Sequence, residues 1–235
     1  SWRATGYPTY AEIVDQLHEY AGLYPGLCKV APVGSSVLGR TLWAIKLSDN
    51  VQVDEPEPEV GVVSTMHGDE KPGTHLCLAM IELLLQNYGT SLPDGARATA
   101  LLDGREIWLV PVMNPDGYES DTRANHNGFD LNRSFPDGVV TPFEEPFPTV
   151  AWDAAGLQPE VAAIIEFTLE RNFALSASLH TGALLVAYPY GNNPEQASVY
   201  TAAPDDATFI DLATDWVAHN PSMASRPTSQ TIRNA

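Results

Sequence analysis

The sequence predicts an α/β fold in which a mostly parallel or mixed sheet has helices on both faces. Short apolar runs rich in β-branched residues alternate along the chain with longer patterns of helical periodicity. Hydrophobic residues make up 44% of the 235 residues, which is enough for one sizeable core. No internal repeat and no linker divides the chain, so we expect a single domain over residues 1–235.

The first elements are a helix and two strands. Thr9 and Glu12 have the spacing of a capping box, and apolar residues follow them at helical intervals, which predicts a helix over about residues 9–21. Residues 27–33 and 41–48 are predicted to be strands that are joined by a glycine-containing turn. The acidic, proline-broken stretch that follows predicts a solvated connector.

The stretch from Glu59 to Lys71 gives the first indication of chemistry. Its apolar run predicts a buried strand over residues 60–66, and His67 and Glu70 come directly after that strand. Imidazole nitrogen and carboxylate oxygen both bind zinc, and a turn at Gly68 lets the two side chains point the same way. His75 is a rival ligand, although its position at the start of an apolar helix favours a packed or capping role.

The remaining elements continue the alternation. We expect the helix after this turn to bury Leu76, Met80, Leu83 and Leu84. Residues 113–157 show little periodicity, which predicts an ordered loop that builds a site, and His180 stands at the end of a later strand. The other predicted elements are helices over 74–88, 96–102, from Pro159 onward and over 205–218, and strands over 105–112, 174–179 and 184–188, before a polar tail without a core element.

Charge and cysteine content exclude several classes of protein. The net charge is −18, with 30 acidic and 12 basic residues, so we expect no binding to nucleic acid or to anionic membranes. No apolar run is long enough to span a bilayer. Cys28 and Cys77 lie in apolar patterns typical of buried small hydrophobic residues, and a bridge between them stays an alternative.

Three stretches together resemble the M14 family of zinc carboxypeptidases. In order they are residues 67–70 (HGDE), residues 114–136 from NPDGY to GFDLNRSFP, and residues 178–190, which contain SLH and YPY. Their order and spacing are most similar to the carboxypeptidase N/E/D subfamily, and the resemblance covers about residues 7–220.

The resemblance implies an exopeptidase that acts on the C-termini of peptides or proteins. It makes His67, Glu70 and His180 the ligands of one Zn²⁺ per chain, with water in the remaining coordination position. Arg123 matches the arginine that polarises the scissile carbonyl, while Asn132 and Arg133 match the pair that binds the substrate's terminal carboxylate. The family fold is a mixed, mainly parallel eight-stranded sheet flanked by helices. The subfamily resemblance and the start at Ser1 also predict secretion or another extracytoplasmic location.

Two departures from the family pattern carry further expectations. Gly191 stands where basic-specific members have an acidic residue, which predicts a weaker or broader terminal preference. The family's general base is a glutamate on a strand after the second zinc histidine. Glu195 is the one glutamate after His180 in this sequence, and it aligns with a loop and not with that strand. Tyr200 falls too early to match the family's substrate-binding tyrosine. We therefore expect a domain that lacks its C-terminal strand and helix elements and is weakly active or inactive alone. A silent module that binds peptide C-termini is the alternative, and a deacylase or amidase ranks below it.

Overall fold

The structure is a computed structural model that describes residues 6–136, 157–189 and 200–234. The chain divides into two compact units, and each is described by itself; the single domain over residues 1–235 stays a prediction. The first unit comprises Ser1–Phe135 and Ala154–Thr181, and the second comprises Pro136–Asp153 and Gly182–Ala235. The first unit contains helices α1 (Tyr10–Leu23), α2 (Pro72–Asn87), α3 (Gly95–Leu102), α4 (Pro115–Ser120) and α5 (Pro159–Leu169), and strands β1 (Cys28–Ser35), β2 (Thr41–Leu47), β3 (Glu59–Ser64), β4 (Glu106–Val110) and β5 (Phe173–Leu179).

The five strands of the first unit form one mixed sheet in the order β1-β2-β4-β3-β5. The pairs β1–β2 and β2–β4 are antiparallel, whereas β3 lies between β4 and β5 and is parallel to both. In the β3–β5 ladder Ser64 pairs with Leu179, so the two strands end side by side. The segments that carry His67 and His180 therefore leave the same edge of the sheet.

Two apolar clusters cover the two faces of this sheet. On β4, Ile107 and Leu109 belong to the cluster that contains the buried residues of α1, α2 and α3. Trp108 and Val110, which alternate with them, belong to the cluster that contains the buried residues of α5. Because successive side chains of a strand point to opposite faces, this division confirms the predicted sheet with helices on both sides.

The buried face of α2 differs from the sequence prediction. Leu76 and Leu83, which we expected in the core, are 61% and 45% exposed. Leu84 is buried as predicted and Met80 is half-buried, and the other apolar residues that α2 buries are Cys77, Leu78, Ile81 and Leu85. The helix is apolar on most of its surface, so periodicity alone did not fix its rotation. The buried side also carries the Thr74 hydroxyl, which lies 2.7 Å from Thr65 Oγ1 and donates to Pro111 O at 3.0 Å.

The expected loop over residues 113–157 begins with regular structure. α4 starts with proline at its first position and is capped by Asn114, whose Oδ1 accepts a hydrogen bond from Gly117 N–H at 2.9 Å. A short 3-10 turn follows at Leu131–Arg133. Periodicity could not reveal either element, because each is shorter than two helical turns. Residues 137–156 lie outside the described residues.

The second unit contains α6 (Asp206–Ala218), α7 (Pro221–Ala224), α8 (Thr228–Thr231), and strands β6 (Val186–Tyr188) and β7 (Ile232–Asn234). β6 and β7 pair in parallel, and the rings of Tyr188 and Phe209 stack with centroids 6.4 Å apart. The prediction of a tail without a core element was wrong, since α7 buries Met223 and β7 completes a ladder. None of the helices in the described ranges has the length and apolar character needed to cross a membrane.

Candidate metal and substrate site

The HGDE turn is shaped by the end of β3 and by α4. After Ser64 the chain adopts a φ of 54° at Thr65, an unusual conformation for a β-branched residue. Backbone hydrogen bonds from Met113 to Ser64 O and from Asn114 to Thr65 O hold it there. A Cβ on Gly68 would lie 2.0 Å from the carbonyl carbon of Gly117, so only glycine allows the turn to pack against α4.

The structure brings His67, Glu70 and His180 together. His67 Nδ1 lies 2.9 Å from Glu70 Oε1 and 3.2 Å from His180 Nδ1, and His180 Nδ1 lies 3.0 Å from Glu70 Oε2. His67 is buried, Glu70 is partly buried and His180 is exposed. We call these three residues the His–Glu–His group.

The donor atoms of this group fit a zinc ion. Ligands of a tetrahedral zinc lie roughly 3.3–3.6 Å apart when the metal bonds are ~2.0–2.2 Å long. The distances between donors here are slightly shorter than that, as expected for side chains that converge on one point. Two imidazoles and a carboxylate leave the fourth position open, which is the ligand set of catalytic zinc.

Glu70 is kept ionised by its neighbours. Burial alone would raise the pKa of its carboxyl, but a hydrogen bond from Thr181 N–H at 2.9 Å and the adjacent imidazoles lower that pKa below its ordinary value. A metal ligand must be deprotonated, so this environment suits binding.

Asp130 is a site residue that the sequence reasoning missed. With Nδ1 of His67 directed at the metal position, the ring carries its proton on Nε2, which donates to Asp130 Oδ1 at 3.1 Å. The same carboxylate accepts hydrogen bonds from Arg123 Nε at 3.0 Å and from Asn132 N–H at 2.9 Å. Burial would raise its pKa, but the hydrogen bonds from Arg123 and His67 hold that pKa below the ordinary value. A zinc-binding histidine needs a partner for its second ring nitrogen, but this contact joins residues 63 positions apart, so no sequence pattern identified Asp130.

Arg123 lies beside the His–Glu–His group. Its Nη1 is 3.2 Å from His67 Nδ1 and 3.6 Å from Glu70 Oε1, and its other nitrogens bond to Asp130. About half of the side chain is exposed, so the guanidinium can also reach a ligand from solvent.

Asn132 and Arg133 lie together on the 3-10 turn, and both side chains are exposed. Arg133 Nη1 donates to the carbonyl of Asn132 at 2.9 Å. Within the described residues Arg133 forms no ion pair.

His75, the rival ligand, lies outside the group. Its ring packs against Tyr7 with centroids 4.7 Å apart, which agrees with the packed role favoured from the sequence. Cys28 and Cys77 are buried and unbridged, as the sequence also favoured.

Comparison with known proteins identifies the family. The profile described as zinc carboxypeptidase matches residues 13–235. The chain belongs to the zinc carboxypeptidase family. The resemblance of its motifs to this family, and to the N/E/D subfamily within it, is therefore confirmed by an independent match along most of the chain.

Characterised members of this family align with most of the chain. Carboxypeptidase D of Mus musculus is 39% identical over 217 residues, covering 88% of this chain and 15% of that protein. The catalytic chain of human carboxypeptidase N is 34% identical, covering 87% of this chain and 50% of that protein. The chain thus spans about half the length of carboxypeptidase N and a smaller share of the longer carboxypeptidase D.

Solved structures show the family fold. The crystal structure of carboxypeptidase A from Helicoverpa armigera superposes with a TM-score of 0.71 at 23% identity, over 90% of this chain and 53% of that chain. Thrombin activatable fibrinolysis inhibitor gives a TM-score of 0.76 at 20% identity, over 100% and 60% of the two chains. The predicted zinc carboxypeptidase-like α/β fold is therefore confirmed.

Proposed function

We propose that the protein is a zinc-dependent exopeptidase that hydrolyses the C-terminal peptide bond of peptides or proteins. The observation that carries this proposal is the convergence of His67, Glu70 and His180 on one point, with the guanidinium of Arg123 beside it. Membership of the zinc carboxypeptidase family supports the same reaction. The chain spans only part of the length of its relatives, so we propose this activity for the whole protein as well.

The His–Glu–His group would hold the zinc, with His67 oriented by Asp130. A bound Zn²⁺ supplies a Lewis acid and lowers the pKa of a coordinated water to about 7. The residues supply the geometry: the Thr181 N–H fixes Glu70, and Asp130 fixes the ring of His67.

Arg123 would stabilise the negative charge that develops on the carbonyl oxygen of the scissile bond. A guanidinium aimed at a developing oxyanion is worth more in the transition state than in the ground state, so it raises the rate. Its bonds to Asp130 restrict its movement before substrate arrives, which reduces the entropy lost when the substrate binds.

Asn132 and Arg133 would select the chain end. The planar fork of arginine binds a carboxylate through two parallel hydrogen bonds, and an internal peptide bond offers no such anion. The exposed guanidinium of Arg133 and the neighbouring amide of Asn132 are adjacent on one turn, which suits that recognition.

A catalytically silent module that binds peptide C-termini is the second candidate. It is favoured by the position of Glu195, which aligns with a loop of the family pattern rather than with the strand that carries the general base. A general base contributes ~10²–10⁴-fold to a rate, so a binding module without one would recognise chain ends and hydrolyse them very slowly.

A hydrolysis assay on paired peptides tests the proposal. We expect the protein to cleave a peptide with a free C-terminus, to ignore the same peptide with an amidated C-terminus, and to lose activity with a chelator that zinc reverses. Arg133→Gln should raise KM roughly 10- to 100-fold, because a charged hydrogen-bonding partner is lost.

Arg97→Gln, which removes an exposed arginine from α3, is the matched control and should leave KM unchanged. Binding of the free-ended peptide without hydrolysis would favour the silent module. Hydrolysis that ignores amidation would reject the proposal.

The preferred terminal residue and the location complete the proposal. Gly191 lies outside the described residues, and its lack of charge supports a preference for terminal lysine or arginine that is weaker or broader than in the basic-specific members. Peptides that differ only in the last residue test this, and strong selectivity for basic ends would reject it. An extracytoplasmic location follows from the subfamily resemblance, and detection of the protein in a secreted fraction tests it.

A further inference from the structure

A buried side chain lies within the segment that carries the polar residues of the site. Asn125 comes two residues after Arg123 and five before Asp130, and it is 4% exposed. Its Oδ1 accepts hydrogen bonds from the N–H groups of Asn127 and Phe129, both at 3.1 Å, and its own N–H donates to Phe129 O at 3.0 Å. Residues 125–129 therefore form a turn that is closed on one asparagine.

Asn125 is in turn held by a buried carboxylate on α5. Its Nδ2 donates to Glu160 Oε2 at 3.0 Å, and Glu160 is 0% exposed. The other carboxylate oxygen, Oε1, accepts from Val37 N–H at 3.1 Å, in the turn between β1 and β2. One side chain thus joins α5, the β1–β2 turn and the turn of residues 125–129.

The buried carboxylate of Glu160 depends on its hydrogen-bond donors. A buried carboxylate is tolerated only when its oxygens are hydrogen-bonded, and both oxygens of Glu160 are. Its place in the first turn of α5 adds the favourable field of the helix N-terminus. Within the described residues it forms no ion pair, and its hydrogen bonds come from neutral donors, Asn125 Nδ2 and Val37 N–H.

We infer that Glu160 is a positioning residue for substrate binding, acting through Asn125 on the turn that precedes Asp130, Asn132 and Arg133. The effect on hydrolysis rests on the proposed function. The 3-10 turn begins at Leu131, two residues after the turn of residues 125–129 ends. Loss of the hydrogen bond between Asn125 and Glu160 therefore displaces Asn132 and Arg133, which would bind the terminal carboxylate. Arg123 is affected less, because Asp130 also holds it.

A polarity exchange tests the inference. In Glu160→Gln an amide group must face either Asn125 Nδ2 or Val37 N–H, so one pair of donors meets. In Asn125→Asp two carboxylates meet. The double variant Asn125→Asp with Glu160→Gln keeps one charge and again pairs a donor with an acceptor. The amide of Gln158, which accepts from Asn125 at 2.8 Å, can rotate to donate to the new carboxylate. Glu166→Gln, on the exposed face of α5, is the matched control.

We expect Glu160→Gln to raise KM for a free-ended peptide about tenfold and to change kcat less, because a buried donor loses its acceptor. The double variant should return KM to the wild-type value, and Glu166→Gln should leave it unchanged. Raised KM that persists in the double variant, or wild-type KM in Glu160→Gln, overturns the inference. If Glu160→Gln does not fold, the double variant is measured alone. A wild-type KM in the double variant supports the inference, and a raised KM overturns it.

Amide hydrogen exchange provides a measurement that does not need activity. Glu160→Gln should accelerate exchange at Asn127 and Phe129, whose N–H groups bond to Asn125, and leave the strand β4 unchanged. The double variant should restore slow exchange. Unchanged exchange at these two amides overturns the inference even if the wild-type protein hydrolyses peptides. If the wild-type protein hydrolyses no peptide but the variants show the expected exchange pattern, the proposed function is overturned. The role of Glu160 in holding Asn125 is then still supported.

Discussion

Two groups of convergent side chains lie at opposite edges of the sheet. The His–Glu–His group follows the carboxyl ends of β3 and β5. The acidic group, which we define as Asp49, Glu55 and Glu57, lies where β2 ends and before β3 begins. In both groups the candidate ligand atoms lie within 4.8 Å of one another. Convergence alone therefore does not distinguish them.

Electrostatics distinguishes the two groups. In the His–Glu–His group the hydrogen bond from Thr181 and the imidazoles outweigh burial and lower the pKa of Glu70. In the acidic group burial and the like charges of Glu55 and Asp49 raise the pKa of Glu57. The first environment favours the ionised ligand and offers nitrogen donors that suit zinc. The second offers only carboxylate oxygens.

The strongest test of the difference is removal of one imidazole. His180→Ala should lose most of the bound zinc, since it leaves two of the three protein ligands that a catalytic zinc site requires. Zinc per chain, measured on protein dialysed against a weak chelator, checks this. Full zinc occupancy in the variant would show that the metal is bound elsewhere, with the acidic group as the next place to look.

Asp130 sharpens the comparison, because over residues 6–136, 157–189 and 200–234 no such hydrogen bond orients a carboxylate of the acidic group. Asp130→Asn should weaken zinc binding ~10- to 100-fold, the usual cost of losing the carboxylate that orients a metal-binding histidine. Competition with a chromogenic chelator measures the affinity. Asp15→Asn, an exposed substitution on α1, is the control and should change nothing. Equal zinc affinities in the two variants would remove Asp130 from the metal site.

The smallest expected effect is on stability in the acidic group. The folded protein raises the pKa of Glu57, so its charge destabilises the fold at neutral pH, and stability rises as pH falls through the folded pKa. Glu57→Gln should therefore raise Tm slightly at pH 7, the gain should shrink in acid, and zinc content should not change. Glu19→Gln, an exposed change on α1, is the control. A lower Tm in Glu57→Gln would mean that the charge of Glu57 stabilises the fold. Lost zinc in this variant would mean that Glu57 helps to bind the metal.

The sequence predicted the parts of this site that depend on strand ends. His67 and His180 both followed apolar runs, and parallel strands that end at one edge bring such residues together. The roles of Arg123, Asn132 and Arg133 came from the family resemblance, and they stay predictions. Asp130 and Glu160 were missed because their contacts join residues far apart in the chain, which periodicity cannot detect.

The same limit explains the errors in the fold. On α2 the apolar residues cover most of the helix, so the pattern predicted a helix without fixing which side is buried. The contacts of the Thr74 hydroxyl with Thr65 and Pro111 lie on the buried side, and apolar spacing could not predict them. α4 was missed because Asn114 and Pro115 define it by capping rather than by apolar spacing.

The most direct test of the metal site is X-ray absorption at the zinc edge on the purified wild-type protein. With about one zinc per chain, we expect nitrogen and oxygen ligands at ~2.0–2.2 Å and the scattering pattern of two imidazoles. A spectrum with oxygen ligands alone would assign the metal to the acidic group, and sulfur ligands at ~2.3 Å would assign it to a cysteine. Either result would contradict the assignment of His67, Glu70 and His180 as the zinc site.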